Sequence, residues 1–232
     1  GLVEPSSDGL AEELPPPAPP ATDTTYAGAR ELFTAAGVAF PAARSVTDAA
    51  GLEAALADLR FPVVLKAAGR LHKSEDGGVV LGLADAAAAR TAYDDLVARL
   101  APPVVSVEEM AEVDDGVELI VGAVRDPKFG PVVMVGLGGV LTEVLGDTAA
   151  AIAPVSPGAA RRLLESLRAA PVLRGIRGRT SVDLDALAAL VACVSRVAAA
   201  HPELTELELN PVLAGASGVV ALDARVVAGT VR

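Results

Sequence analysis

Tryptophan is absent from this 232-residue chain, aromatic residues make up only 3% of it, and a single cysteine, Cys193, sits inside an apolar helical pattern. With so few rings, packing has to come from many small side chains, chiefly alanine and valine. Apolar residues reach 52%, enough for a sizeable core. One cysteine excludes a disulfide framework; a buried, inert thiol is expected, which suits a reducing cytoplasm. Basic residues are scarce too, 19 Lys and Arg against 30 Asp and Glu, for a net charge of −11. That balance argues against general nucleic-acid binding, which neutralises phosphates with basic surface, and reads as solubility. No apolar run reaches the roughly 18 residues that would span a bilayer, so no membrane association is expected, and no signal-peptide pattern opens the chain. Gly1 rather than Met stands first, so the chain is expected to be a piece of something longer.

Residues 1–22 read as an interdomain linker. Glu13-Leu14-Pro15-Pro16-Pro17-Ala18-Pro19-Pro20 has no apolar periodicity and favours an extended polyproline conformation. From Thr24, helical spacing of Tyr26, Ala29, Leu32, Phe33 and Ala36 predicts a helix that Gly37 ends. Further helices are expected over 48–59, over 86–100 with Asp85 as N-cap and Leu96, Val97 and Leu100 facing inward, from Ser156-Pro157 to about 169, and over 183–200. His201-Pro202 stops the last one, with His201 as cap or filler. Strands are expected over 61–67, from Val79, over 104–110, 117–124 and 131–135, and in a closing hairpin of 204–213 with 219–226. Strands and helices mix without a regular βαβ alternation, which predicts an α+β chain of two lobes, 23–110 and 111–232.

Three places carry chemistry. Between two apolar strands, Leu71-His72-Lys73-Ser74-Glu75-Asp76-Gly77-Gly78-Val79 reads as a polar, glycine-bearing flap. Such a flap can close over phosphates with backbone N–H groups, and His72 is a side chain able to accept a phosphoryl group covalently, with Glu75 or Asp76 holding its tautomer. Lys66, ending the strand before it, is either a snorkelling edge residue or a phosphate clamp. In the closing hairpin, Glu206, Glu208 and Asn210 alternate with Leu207 and Leu209. If Ala214 and Val219 flank the turn, Asn210 falls opposite Asp223. Glu208, Asn210 and Asp223 are then three hard oxygen donors on one face, a set suited to Mg²⁺, or an ordinary solvated face of an amphipathic hairpin. Glu108, Glu109 and Glu118 are exposed strand acids or carboxylates that bind a ribose hydroxyl or an adenine amino group, with Val107 and Met110 adding apolar surface around a base. Glu143, after the glycine cluster at 136–139, is a candidate further carboxylate under the metal reading; that cluster completes no Walker or dinucleotide signature.

In this order FPVVLK (61–66), LHKSEDGGV (71–79), VEEM (107–110), GVELIVG (116–122), RDPKFGPVVMVGLGG (125–139), ELELNPV (206–212) and ALDARV (221–226) resemble the ATP-grasp domain of ADP-forming acyl-CoA synthetases, the β part of the acetate–CoA ligase family, over roughly 24–227. A more distant likeness to succinyl-CoA synthetase β chains runs through the final hairpin. The resemblance implies an ATP-grasp fold, two α/β lobes with a nucleotide cleft between them. It implies ATP or ADP with Mg²⁺ as cofactors. Lys66 then contacts nucleotide phosphate, and the loop from His72 through Lys73, Ser74, Gly77 and Gly78 lies over the phosphates. Glu108, Glu109 and Met110 form the hinge beside adenine, and Glu118 reaches the ribose. Asn210 and Asp223, with Glu208 beside them, hold the Mg²⁺, and His72 carries phosphate in a relay from an acyl phosphate to ADP. The stretch between Lys66 and His72, Ala67-Ala68-Gly69-Arg70-Leu71, departs from the family's Ser-Pro-Asp-bearing one, which bears on the loop's resting shape. The chain contains no CoA-binding segment, so a CoA-ligase α subunit or a domain fused upstream is expected to bring acyl-CoA and phosphate, in an oligomeric cytoplasmic assembly. A second reading is the regulatory domain of a protein lysine acetyltransferase fusion; the presence of Lys66, His72, Gly77, Gly78, Asn210 and Asp223 favours a working nucleotide site. A third, a carboxylate–amine ligase of the same fold, uses no phosphohistidine, and His72 argues against it.

Overall fold

The computed structural model describes residues 14–68, 77–111, 113, 116–139, 146–176 and 180–229. In chain order these form α1 (Tyr26–Ala35), β1 (Ala43–Val46), α2 (Ala49–Asp58), β2 (Val63–Ala67), β3 (Val79–Leu83), α3 (Ala86–Leu100) and β4 (Val105–Glu109). There follow β5 (Val117–Asp126), β6 (Gly130–Leu137), β7 (Thr148–Ile152), α4 (Pro157–Glu165), α5 (Ala170–Leu173), α6 (Leu184–Ala200), β8 (Leu204–Gly215), β9 (Gly218–Ala221) and β10 (Ala224–Ala228). They divide into two compact units, a smaller one of residues 25–27 and 41–112 and a larger one holding the rest.

The smaller unit is a four-stranded antiparallel sheet, ordered β1-β4-β2-β3, with α2 and α3 packed on one face. Both helices start where short acids offer a cap: Asp48 accepts the Gly51 N–H and Asp85 the Ala88 N–H. Leu52, Leu56, Tyr93 and Leu96 meet Val63, Leu65 and Val107 in its core. The inward face of α3 runs through Ala89, Tyr93 and Leu96, with Leu100 packed at its end. Val97, expected inside, is 38% exposed because it lies one position off that stripe.

The larger unit is a six-stranded antiparallel sheet, β10-β8-β5-β6-β7 with β9 also paired to β8. One face, carrying Leu119, Val121, Val133, Leu207, Leu209 and Val212, is covered by side chains from α1, α4 and α6. The expected division at 23–110 changes here. Residues 28–40 group with the larger unit because Ala29, Phe33 and Val38 are buried in its core. The end of the expected linker is also tied down. The Ala18 N–H donates to the Ala200 carbonyl at 2.9 Å, and the Ala21 N–H to Glu203 Oε1 at 2.7 Å. The same oxygen lies 3.0 Å from Nδ1 of the buried His201, which caps α6 as expected. Residues 1–13 of the linker lie outside the described residues.

Asp147 fixes the turn after α4. Its two oxygens accept the N–H groups of Arg168 at 3.0 Å and Ala169 at 2.7 Å. Burial pushes this carboxyl up, but the two backbone N–H groups and the Arg168 guanidinium outweigh it and hold the group below the ordinary aspartate value. Asp147→Ala leaves two turn amides without their acceptor and should cost about 1–3 kcal/mol. Because the folded carboxyl titrates below its unfolded value, the stabilisation is complete above the ordinary carboxylate range and disappears as pH falls through the lower folded value. Urea melts of wild type and variant should therefore differ at neutral pH and converge in acid.

Candidate functional site

Strand alternation sorts β2 and β4 into two sets. Val63, Leu65, Ala67, Val105 and Val107 enter the smaller unit's core. Val64, Lys66, Ser106 and Glu108 take the other face, with Lys66 opposite Ser106 and Val64 opposite Glu108. β2 is an interior strand, so Lys66 is no edge residue reaching for water. Its Nζ lies 2.9 Å from Glu108 Oε2 in a buried ion pair and 3.4 Å from the Tyr26 hydroxyl. Glu108 Oε1 accepts the Tyr26 hydroxyl at 2.7 Å and the Ser106 hydroxyl at 2.8 Å. Glu108 is only 1% exposed, so its carboxylate faces these side chains rather than solvent. Helical spacing presents Tyr26 as an apolar helix-face residue, and nothing local marks Ser106 except its two-residue spacing from Glu108 on a strand.

Next to Glu108, Glu109 is clamped by Arg60, whose backbone N–H, Nε and Nη2 all donate to it, at 3.0, 3.1 and 2.7 Å. The guanidinium and backbone N–H of Arg60 hold the Glu109 carboxyl below its usual value. The N–H groups of Glu109 and Met110 donate to the carbonyls of Ala42 and Pro62, and the Met110 side chain is partly exposed. Gly78 accepts the Ala67 N–H at 2.8 Å, joining the end of β2 to the start of β3. Gly77 takes a left-handed conformation, φ +65°, which favours glycine, and its carbonyl accepts Arg99 Nη2 at 3.1 Å. His72, Lys73, Ser74 and Glu143 lie outside the described residues, as do Glu75 and Asp76.

In the larger unit the turn count holds. Gly215 pairs with Gly218 and Ala214 with Val219, and the same register continues to Leu209 opposite Ala224 and Glu208 opposite Arg225. The returning strand breaks into β9 and β10 at Leu222–Asp223, where the expected strand 219–226 ran unbroken. At the break the Asn210 N–H donates to the Asp223 carbonyl at 3.3 Å, and the Leu222 N–H to the Pro211 carbonyl at 2.9 Å. Asn210 Nδ2 donates to Glu208 Oε1 at 3.0 Å, which commits the amide nitrogen and leaves the amide oxygen as the acceptor end. Asp223 Oδ1 accepts the Ala224 N–H at 2.9 Å. Glu118, on β5, is exposed, and its Oε2 lies 3.2 Å from where a Cβ on Gly139 would stand. Its own carbonyl accepts the Gly138 N–H at 2.6 Å. Among the described residues no three His, Cys, Asp or Glu side chains form a metal cage. Two carboxylates and a carboxamide oxygen nevertheless fit Mg²⁺, which takes few protein oxygens and keeps its other positions for water and phosphate.

The model of an ATP-grasp domain family matches residues 21–228. The chain belongs to the ATP-grasp family. Within it, the ADP-forming acetate–CoA ligase I β subunit of Pyrococcus furiosus is 35% identical over 179 residues, covering 73% of this chain and 76% of that protein. The ADP-forming acetate–CoA ligase I of Archaeoglobus fulgidus is 41% identical over 177 residues, 73% of this chain and 26% of that protein. This ATP-grasp chain thus spans less than a third of the longer curated relatives it matches. A solved structure of the dinucleotide-forming acetyl-coenzyme A synthetase 1 of Ca. Korarchaeum cryptofilum superposes with a TM-score of 0.77 at 33% identity, over 89% of this chain and 93% of that one. That protein holds coenzyme A and Mg-AMPPCP, with its phosphohistidine segment pointing towards the nucleotide binding site. The ATP-grasp fold expected from the motifs is therefore the fold of this chain, and none of its described helices is long and apolar enough to cross a membrane.

Proposed function

We propose that this ATP-grasp domain is the nucleotide-binding and phosphoryl-accepting part of an ADP-forming acyl-CoA synthetase, which interconverts acyl-CoA, ADP and phosphate with carboxylic acid, ATP and CoA. The observation that carries the reading is the β8–β10 register, which sets Asn210 opposite Asp223 beside Glu208. The kinship with ADP-forming ligases supports it. In this reading Lys66 meets a nucleotide phosphate, Gly77 and Gly78 end a loop that covers the phosphates with Lys73 and Ser74, Glu109 and Met110 lie beside the purine, and Glu118 meets the ribose. Glu208, Asn210 and Asp223 hold the metal. When bound, Mg²⁺ offsets charge on the phosphates. A CoA-binding α subunit, or a domain fused upstream, supplies the acyl-CoA and phosphate sites and a first phosphohistidine, in a cytoplasmic assembly. His72 takes the phosphoryl group as one P–N bond breaks and another forms. A terminal oxygen of ADP then displaces it, forming the P–O bond of ATP and returning the imidazole.

Replacing Asn210 and Asp223 together with alanine tests the reading. Calorimetry should show Mg-ADP affinity falling about 10–100-fold, the scale on which metal-site changes act, and ADP binding losing its dependence on magnesium. Wild-type affinity in that double variant would remove the hairpin from the metal site and with it the main support for this function.

A further inference from the structure

The motif resemblance gives Glu108 to the purine, but its surroundings assign it elsewhere. The carboxylate is withdrawn from solvent, and both oxygens are engaged by side chains of its own unit: Oε2 by the Lys66 ammonium, Oε1 by the hydroxyls of Tyr26 and Ser106. The Lys66 ammonium in turn lies 3.4 Å from the Tyr26 hydroxyl and 5.7 Å from the centre of its ring. Lys66 is 8% exposed. An ammonium so far out of water is tolerable only beside a carboxylate that is itself hydrogen-bonded.

We infer that Glu108, held by Tyr26 and Ser106, is the positioning residue of Lys66, acting on the lysine and not on the nucleotide base. The inference rests on the proposed nucleotide-binding function. Its physical content is preorganisation. A lysine on a free stem loses much rotamer entropy when a phosphate immobilises it. Here the fold has already fixed the ammonium through Glu108, and Tyr26 and Ser106 keep the carboxylate from following the lysine or rotating away. Lys66 therefore meets a phosphate as a fixed point charge. Tyr26 opens α1, while Ser106 stands two residues before Glu108 on β4, so the cradle draws on two separate elements of the chain.

The test compares binding of Mg-ADP, by calorimetry, with binding of adenosine, by saturation-transfer NMR, across Lys66→Met, Glu108→Gln, Tyr26→Phe and Ser106→Ala in the 232-residue chain. Adenosine carries no phosphate, so a residue that acts through Lys66 changes the ADP-to-adenosine affinity ratio, while a base ligand or a merely structural residue lowers both affinities together. Glu108→Gln should lower the ratio about tenfold or more, the usual effect of losing a charge-assisted hydrogen bond. Tyr26→Phe and Ser106→Ala, each removing one hydroxyl, should lower it about threefold. Adding Glu108→Gln to Lys66→Met should cost nothing further, because residues in one network are not additive. A parallel fall in ADP and adenosine affinity in Glu108→Gln, or full additivity with Lys66→Met, would overturn the inference. Tyr26→Phe and Ser106→Ala keep the question open to measurement if Glu108→Gln does not fold, and an unchanged ratio in both would overturn it as well. Lys66→Met separates the two claims. If it leaves Mg-ADP affinity unchanged, the underlying nucleotide site fails; if it weakens ADP while the cradle variants do not, the inference alone fails.

Discussion

Changing His72 to alanine should abolish labelling of this chain by γ-phosphoryl-labelled ATP, while Mg-ADP affinity stays within about threefold of wild type. Binding and transfer separate because different groups perform them. Nucleotide affinity comes from charges and hydrogen-bond donors around the phosphates. A stable protein-bound phosphate needs a nucleophile, and the His72 imidazole is one that the flap sequence offers. The chain has only two histidines. His201 is 7% exposed, caps α6, and has Nδ1 3.0 Å from Glu203, so it is committed to the fold. Phosphate on imidazole is lost in acid, so the wild-type label should be acid-labile. Label persisting in His72→Ala, or acid-stable label in the wild type, would exclude His72 as the carrier.

What could be read from the residues follows the strength of local patterns. The closing hairpin was legible because side-chain direction alternates with a period of two and a short glycine-flanked turn fixes the register, so a count across Gly215–Gly218 was enough to set Asn210 against Asp223. Helices with a short acid at the N-cap, such as α3 after Asp85 and α6 after Asp183, were legible for the same local reason. β1 leaves little local signal, because Ala43–Val46 buries only Val46 and shows no alternation. β7 is hard to see in the sequence because three alanines fill its centre and branched residues, Thr148 and Ile152, stand only at its two ends. The docking of Ala18 and Ala21 uses backbone N–H groups, which leave no trace in side-chain pattern. At the site, Lys66 and Glu108 were visible as polar residues in apolar strands. Their pairing was not, because it depends on which strands become neighbours: β2 and β4 lie 38 residues apart at their nearest ends yet pair directly.

The same non-local logic governs where the chain divides, and it gives the second large effect. Phe33 is fully buried and is one of four phenylalanines in the chain. It lies on α1, early in the sequence, yet packs in a core otherwise built almost entirely from residues after 113. Replacing a buried phenylalanine with alanine typically costs about 3–5 kcal/mol, through lost burial and the cavity left behind. Phe33 belongs to a core cluster made mainly of leucine, valine and alanine side chains from the larger unit's strands and helices. Two units with separate cores need not melt together, and a single transition midpoint would blur them. Hydrogen exchange resolved by residue does not. In Phe33→Ala, amides of β5, β8 and α6 should lose protection by several orders of magnitude at the upper end of that range, while amides of β2 and β4, whose core contains no part of α1, should change little. Loss of protection confined to β2 and β4 would return residues 28–40 to the smaller unit and restore the division near residue 110 that local sequence pattern suggested.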